Sequence, residues 1–154
     1  AKEKMLENNH IYFMNLKKIF DKYNNIKFLG SGINYLVAKK YAQIFSKKFN
    51  RSIAFDVIEN HKHIDISSEA MLFVFASNIN RKGFQQDVFS EVEKFIAHDN
   101  DTIIFTNAET HIFDNLGADN SAIKKIIKLP LVPEIYSLSI FEFYFERFLL
   151  NHSY

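Results

Sequence analysis

The apolar residues of this chain fall into short runs and longer spaced patterns that alternate along the sequence. The short runs are rich in β-branched and aromatic residues, which is typical of strands, and the longer patterns repeat every three or four residues, which is typical of helices. Because strands that alternate with helices form parallel sheets covered on both faces, we predict an α/β fold, a flavodoxin-like three-layer sandwich around a five-stranded parallel sheet. The predicted strands are residues 26–29, 52–57, 71–76, 102–106 and 126–129, and the helices are about 2–23, 35–49, 84–98 and 133–150.

The length and the burial pattern predict one domain. A chain of 154 residues can bury a single core, so residues 1–154 are expected to form one unit. Its parts are the N-terminal helix at about 2–23, the sheet and helices at 26–129 and the C-terminal helix at about 133–150. The strand at 71–76 is apolar on both faces, which predicts a central strand. The last helix is apolar nearly all round, so the domain or a partner has to cover it on more than one side.

Composition and charge narrow the function classes. The net charge is +1 with acidic and basic residues mixed along the chain, so nucleic acid is not an expected ligand. The absence of cysteine excludes disulfides, thiol catalysis and thiolate metal sites, and it fits a cytoplasmic protein. The first residues are charged, and no run reaches the roughly 20 apolar residues that a membrane span needs. We therefore expect a cytoplasmic chain with no nucleic-acid and no membrane partner.

A strand, a glycine turn and the start of a helix follow one another at residues 26–35. Gly30 and Gly32 can adopt backbone conformations that a Cβ forbids, and the next helix points free N–H groups and the positive end of its dipole at the turn. Such a turn can bind an anion at the carboxyl edge of a parallel sheet. The alternative interpretation is a tight strand-to-helix turn without a ligand, because a G-x-G pair with no third spaced glycine is a weak motif.

The other candidate sites have less support. His61 and His63 are residue types that bind zinc, as is His111 farther along the chain. Their spacing, with Glu59 included, belongs to no zinc motif. A nucleotide-binding domain would place an acidic residue at the end of the second strand, where Asp56 is the one candidate, and no P-loop lysine occurs. We expect no metal and no cofactor.

Three short motifs occur in a fixed order along the chain. A G-x-G-x-x-Y turn runs from Gly30 to Tyr35, a K-H pair at Lys62-His63 follows the second predicted strand, and an apolar strand ends at Ala76. In this order they resemble the sugar isomerase (SIS) domain family, and most of all the second SIS half of glucosamine-6-phosphate synthases. There the same turn opens the domain, a G-E-x-K-H-G-P segment follows the second strand, and a strand ending V-x-A-P-N precedes the next helix.

The resemblance implies a ligand, a partner and a set of site residues. SIS domains bind phosphosugars and work in pairs, so we expect a phosphorylated sugar as ligand and a homodimer or a companion SIS half as partner. The histidine of the K-H segment can open the sugar ring in the synthases, which makes His63 the candidate catalytic acid–base and Glu59 the nearest candidate proton shuttle. The candidate substrate-binding residues lie in the glycine turn and after the third strand: Gly30, Ser31, Gly32, Asn34, Ser77, Asn78 and Arg81.

Several residues depart from the family pattern. The synthases carry a lysine–glutamate pair at the end of the helix after the glycine turn, and Ser46-Lys47 stand there in this chain. A protonated lysine cannot replace a carboxylate base. Ile64-Asp65 replace the G-P after the histidine, segment 77–83 replaces the S-x-S-G-x-T phosphate loop, and the lysine-bearing family tail has no counterpart. Two hypotheses stay open: a sugar-phosphate isomerase or aminotransferase of the glucosamine-6-phosphate synthase kind, and a non-catalytic phosphosugar-sensing or dimerisation module.

Overall fold

A computed structural model of the chain describes residues 18–63, 70–78, 82–98, 100–108 and 123–151. Residues 18–22, the described end of the predicted first helix, are helical. The strands are β1 (Asn25–Gly30), β2 (Ala54–Asp56), β3 (Ala70–Ala76), β4 (Asp101–Thr106) and β5 (Ile123–Lys128). The helices that connect them are α1 (Ile33–Phe49), α2 (Lys82–Ala97) and α3 (Ser137–Asn151), with short 3₁₀ helices at Ile58–His63 and Glu134–Tyr136.

The five strands form one sheet in the order β2-β1-β3-β4-β5, and every neighbouring pair is parallel. The predicted α/β class, the strand number and the flavodoxin-like order are therefore confirmed. In the middle of the sheet, Phe73 of β3 lies beside Phe28 of β1 and Ile103 of β4. All seven residues of β3 are buried, as the apolar run at 71–76 predicts for a strand that is covered on both faces.

Aromatic rings fill the face of the sheet that carries α1 and α3. Successive strand side chains point to opposite faces, so Phe28, Phe73, Phe75 and Phe105 lie together on this one. The ring of Phe75 is 5.6 Å from that of Phe28 and 5.2 Å from that of Phe105. Phe145 of α3 covers Phe75 with its ring 5.9 Å away. Aromatic pairs at these distances stabilise the fold by more than the apolar area that they bury accounts for. This cluster therefore fixes α3 on the sheet.

The opposite face of the sheet packs against α2. The alternate strand positions, among them Leu29, Leu72, Val74 and Ile104, are fully buried there. Four residues of α2 belong to the same core cluster and are themselves buried: Val88, Val92, Phe95 and Ile96. One helix stripe and one set of alternate strand positions thus build the second core.

The helix after the last strand begins later than predicted. The pattern places its start at about residue 133, but α3 begins at Ser137, and a 3₁₀ turn precedes it in which Tyr136 N–H donates to the Pro133 carbonyl over 2.9 Å. On α3, Phe141 and Phe145 are buried whereas Phe143 is 56% exposed. In the described ranges, no helix has the length and apolar character needed to cross a membrane.

The second strand is shorter than predicted because side chains satisfy the backbone donors on either side of it. The pattern predicts residues 52–57, and β2 covers Ala54–Asp56. Ile53 N–H donates to Ser46 Oγ over 3.1 Å, and Val57 N–H donates to Asp56 Oδ1 over 2.8 Å. These local bonds compete with the strand ladder at both ends.

Candidate functional site

The carboxyl edge of the sheet contains the point where the strand order reverses. From β1 the chain crosses to β2 on one side, and from β2 it returns past β1 to β3 on the other. In an open α/β sheet, the loops that leave in opposite directions open a crevice at this point, and ligands bind there. The candidate site is therefore built from the residues that follow β1, β2 and β3.

The glycine turn after β1 brings the strand into close contact with the start of α1. A Cβ added to Gly30 would lie 2.3 Å from the Asn34 carbonyl oxygen, so only glycine allows this approach. Gly32 has a φ of 59°, in the left-handed region that favours glycine, and its carbonyl accepts from Tyr35 N–H over 3.1 Å. Ser31 is buried between them, and its carbonyl accepts from Asn34 N–H over 3.2 Å.

Asn34 and Ser77 lie on the two sides of the crevice and bond to each other. The Asn34 amide donates to the Ser77 carbonyl over 3.0 Å, and its oxygen accepts from the Ser77 hydroxyl over 2.6 Å and from the Ser77 N–H over 3.3 Å. Both residues are at most 3% exposed. The structure thus brings together two predicted substrate-binding residues from distant parts of the sequence. Their bonds fasten the first turn of α1 to the end of β3.

Asn78 is held by a polar cluster at the next strand. Its N–H donates to Asn107 Oδ1 over 2.7 Å, and its own oxygen accepts from the Asn107 amide over 3.0 Å. Its amide also donates to Ser137 Oγ at the start of α3. These bonds keep Asn78 at a φ of 56°, which is uncommon for a residue with a side chain. The backbone at the end of β3 is therefore fixed by β4 and α3 together.

Two of these partners, Asn107 and Ser137, are absent from the site residues predicted from the sequence. Thr106 beside them has a comparable role: its hydroxyl donates to the Ala76 carbonyl over 2.8 Å and accepts from Ala108 N–H over 3.0 Å. The available signal is position, because Thr106 and Asn107 end or follow a predicted parallel strand, as Asn78 follows another. The predicted order of strands would have placed them at the same edge.

Glu59 reaches the glycine turn from the 3₁₀ helix after β2. The Ser31 hydroxyl donates to Glu59 Oε2 over 2.6 Å, and Glu59 is an exposed residue whereas Ser31 is buried. The bond connects two residues 28 positions apart and places a negative charge beside the start of α1. A sequence prediction that puts the turn and Glu59 at one site is consistent with this contact, but the chemical role of Glu59 stays a prediction.

Two predicted site residues are described only in part or not at all. His63 ends the 3₁₀ helix Ile58–His63, so its backbone lies near Glu59, and its side chain is outside the described part of the structure. Arg81 lies outside the described residues altogether. Among the residues that are described, no three histidine, aspartate or glutamate side chains come close enough together to hold a metal ion.

Comparison with known proteins gives matches at the level of structure. No protein-family model matches the chain, and no curated protein matches it. The C-terminal domain of glucosamine-fructose-6-phosphate aminotransferase from Francisella tularensis superposes with a TM-score of 0.70 at 14% identity, over 96% of this chain and 40% of that chain. The Escherichia coli CFT073 protein c3406, solved in complex with a ligand, superposes with a TM-score of 0.58 at 14% identity, over 96% of this chain and 88% of that one.

A third match is the tagatose-6-phosphate ketose/aldose isomerase from Escherichia coli, with a TM-score of 0.58 at 12% identity, over 81% of this chain and 35% of that chain. Identities this low establish a common fold and nothing finer. The present chain spans 40% of the length of the aminotransferase chain from Francisella tularensis. The chain thus has the fold of domains found in a tagatose-6-phosphate isomerase and in a glucosamine-fructose-6-phosphate aminotransferase.

Proposed function

We propose that this chain is a phosphosugar-binding SIS domain, which acts in the cytoplasm as part of an amino-sugar or sugar-phosphate isomerase or aminotransferase assembly. The observation that carries the proposal is the fold that it shares with proteins named for 6-phosphate sugars. The polar residues gathered at the carboxyl edge support it, because they come from the ends of three neighbouring strands: Ser31, Ser77, Asn78 and Asn107.

In this proposal the phosphate group lies over the end of β3. Asn78 turns the chain there with a left-handed backbone, and its bonds to Asn107 and Ser137 hold that turn in place. The segment that follows it in the sequence contains Arg81, whose guanidinium would add two-point recognition of a phosphate. Asn34 and Ser77 are proposed to act by holding the backbone of the crevice, because their polar atoms bond to each other.

The catalytic version of the proposal is an aldose–ketose isomerisation. His63 would open the sugar ring by moving a proton between the ring oxygen and the anomeric hydroxyl, and Glu59 would carry the proton between adjacent carbons. The alternative is a non-catalytic phosphosugar-sensing or dimerisation module. One contact favours this alternative: Ser46, at a position where the synthases carry their lysine–glutamate pair, accepts a bond from Ile53 N–H and has a structural role instead.

A partner is proposed to cover the outer surface of α1 and α3, either a second copy or a companion SIS half. Leu36 on α1 is 53% exposed and Phe143 on α3 is 56% exposed, and a patch that contains such apolar side chains would mark a protein interaction surface. The two helices contact each other through Lys40 and Glu142, which form an exposed ion pair between them. The exposed surface therefore combines apolar side chains with both signs of charge, a composition that suits association of two like surfaces.

Ligand binding tests the proposed function. We expect fructose 6-phosphate or glucosamine 6-phosphate to raise the melting temperature, because a ligand at about 100 times its Kd stabilises the native state by about 2.7 kcal/mol. Thermal unfolding with each sugar phosphate, inorganic phosphate and AMP measures this. A shift confined to the sugar phosphates supports the proposal. No shift with any sugar phosphate, from a well-folded protein, contradicts it and leaves assembly as the function of the domain.

The homodimer is tested by Phe143→Glu. A charge placed on the exposed apolar surface, beside Glu142, should lower the dimer fraction strongly, because the carboxylate would lose its water on association. Light scattering of the wild type and the variant over a range of protein concentrations measures this. Gln86→Glu is the matched control, since it adds the same charge to an exposed position on α2, on the other side of the sheet. A wild type that stays monomeric contradicts the homodimer and leaves the companion half as the partner.

A further inference from the structure

The negative charge at the glycine turn comes from the protein itself. The start of α1 has no acidic residue in its first turn and no side-chain cap, so its N–H groups and dipole would favour an anion. The Ser31 hydroxyl, immediately before the N-cap residue Gly32, donates to Glu59 Oε2 over 2.6 Å. The carboxylate of Glu59 therefore lies beside the glycine turn, which the sequence predicts to be an anion site.

The backbone that carries Glu59 is held in place by its neighbours. Its neighbour Ile58 is 1% exposed and belongs to the core cluster that contains Leu29 and Ala76, at the ends of β1 and β3. The bond from Val57 N–H to Asp56 Oδ1 defines where β2 ends and the 3₁₀ helix begins. The backbone that carries Glu59 is thus positioned by the burial of Ile58, while Glu59 itself is an exposed residue.

A carboxylate at this place selects between the two ends of a sugar phosphate. Like charges a few ångströms apart repel each other, so a phosphate group on the glycine turn would be disfavoured. A carboxylate has about four lone-pair directions. With one of them used by Ser31, it can still accept hydrogen bonds from sugar hydroxyl groups, and charge-assisted bonds of this kind are the stronger ones.

We propose that Glu59, held by Ser31, is the hydroxyl-recognising group of the site and that it keeps the phosphate away from the glycine turn. The inference rests on the proposed function, since it takes a sugar phosphate to bind at this edge of the sheet. It adds the orientation of the ligand: the hydroxyl groups lie on the side of β1 and β2, and the phosphate lies on the side of β3 and β4. Recognition by Glu59 is needed in a catalytic and in a sensing domain alike.

Calorimetric titration of the full chain with fructose 6-phosphate and, separately, with inorganic phosphate tests this orientation. Glu59→Gln should weaken fructose 6-phosphate binding about tenfold, the loss of one charge-assisted hydrogen bond. The same variant should bind inorganic phosphate as tightly as the wild type or more tightly, because the repulsion is gone. Ser31→Ala, which frees the carboxylate to move, should weaken fructose 6-phosphate binding by a smaller factor of about three.

The matched control is Glu93→Gln, the same substitution at an exposed position of α2, which should change neither affinity. Equal losses for both ligands in Glu59→Gln would overturn the inference, because they would indicate a structural role. If Glu59→Gln bound fructose 6-phosphate as tightly as the wild type or more tightly, the inference about Glu59 would be overturned, while the proposed function would stand. A wild type that binds inorganic phosphate but no sugar phosphate would overturn the proposed function and the inference together.

Discussion

Gly30→Ala is expected to destabilise the fold by about 3 kcal/mol or more. The new Cβ would lie 2.3 Å from the Asn34 carbonyl oxygen and 2.9 Å from the Tyr35 nitrogen, both backbone atoms of α1. Relief requires α1 to move away from the sheet, and α1 is packed on the aromatic core through fully buried Phe45. When no flexible side chain can move to relieve the overpacking, the loss of stability is at the upper end of the range measured for such substitutions. Urea unfolding of the wild type and the variant measures the difference.

Gly83→Ala is the matched control for Gly30→Ala. An added Cβ at Gly83 meets no atom of the described residues within 4 Å, and Gly83 lies in the first turn of α2. Alanine is the better helix former, so this substitution should be neutral or should stabilise by up to about 1 kcal/mol. If Gly30→Ala lowers the free energy of unfolding and Gly83→Ala does not, the steric contact at residue 30 is the cause of the destabilisation. The loss of backbone entropy, which both substitutions share, is then excluded. Similar small effects at both would contradict the close approach of β1 and α1.

The fold could be predicted from the sequence because its signals are local. Strand and helix periods differ, and the order in which they alternate restricts the topology to few choices. The errors lie where local hydrogen bonds, from a side chain at β2 and from the backbone at α3, compete with the regular ladder, and such competition has no periodic signal. Ser46 satisfies Ile53 N–H and so shortens β2, and the Pro133 carbonyl forms a 3₁₀ turn that delays α3.

The candidate site could be predicted in part. The glycine turn can be predicted because Gly30 and Gly32 stand between a strand pattern and a helix pattern. The role of Asn107 cannot be predicted in the same way. It depends on the strand register that puts Ala76 beside Thr106, and a single sequence does not give that register. The Ser31–Glu59 contact has the same origin: the two residues are neighbours only because β2 lies next to β1. Polar residues that directly follow predicted parallel strands are therefore worth considering together.

Asn34→Ala is expected to destabilise the domain by about 3 kcal/mol, although it removes only one small polar side chain. The backbone N–H and carbonyl of Ser77 both bond to the Asn34 amide, at 3.3 and 3.0 Å, and Ser77 is 3% exposed. Without the amide, both groups would be buried without these partners, and each such group costs about 1–3 kcal/mol. The free energy of unfolding from urea titration measures the loss, and an unchanged m-value would indicate that the native state is otherwise the same.

Ser77→Ala separates the two halves of this contact. It removes only the hydroxyl that donates to Asn34 Oδ1, and that oxygen keeps the bond from the Ser77 N–H, so the expected cost is about 1 kcal/mol. Asn60→Ala, at an exposed asparagine, controls for the loss of an amide and should stay within about 0.5 kcal/mol of the wild type. Asn34→Ala costing no more than Ser77→Ala would mean that water replaces the amide, and that the crevice is open at its base. The expected ranking instead makes Asn34 the residue that joins α1 to β3 at the base of the crevice, because its backbone partners have no other donor or acceptor among the described contacts.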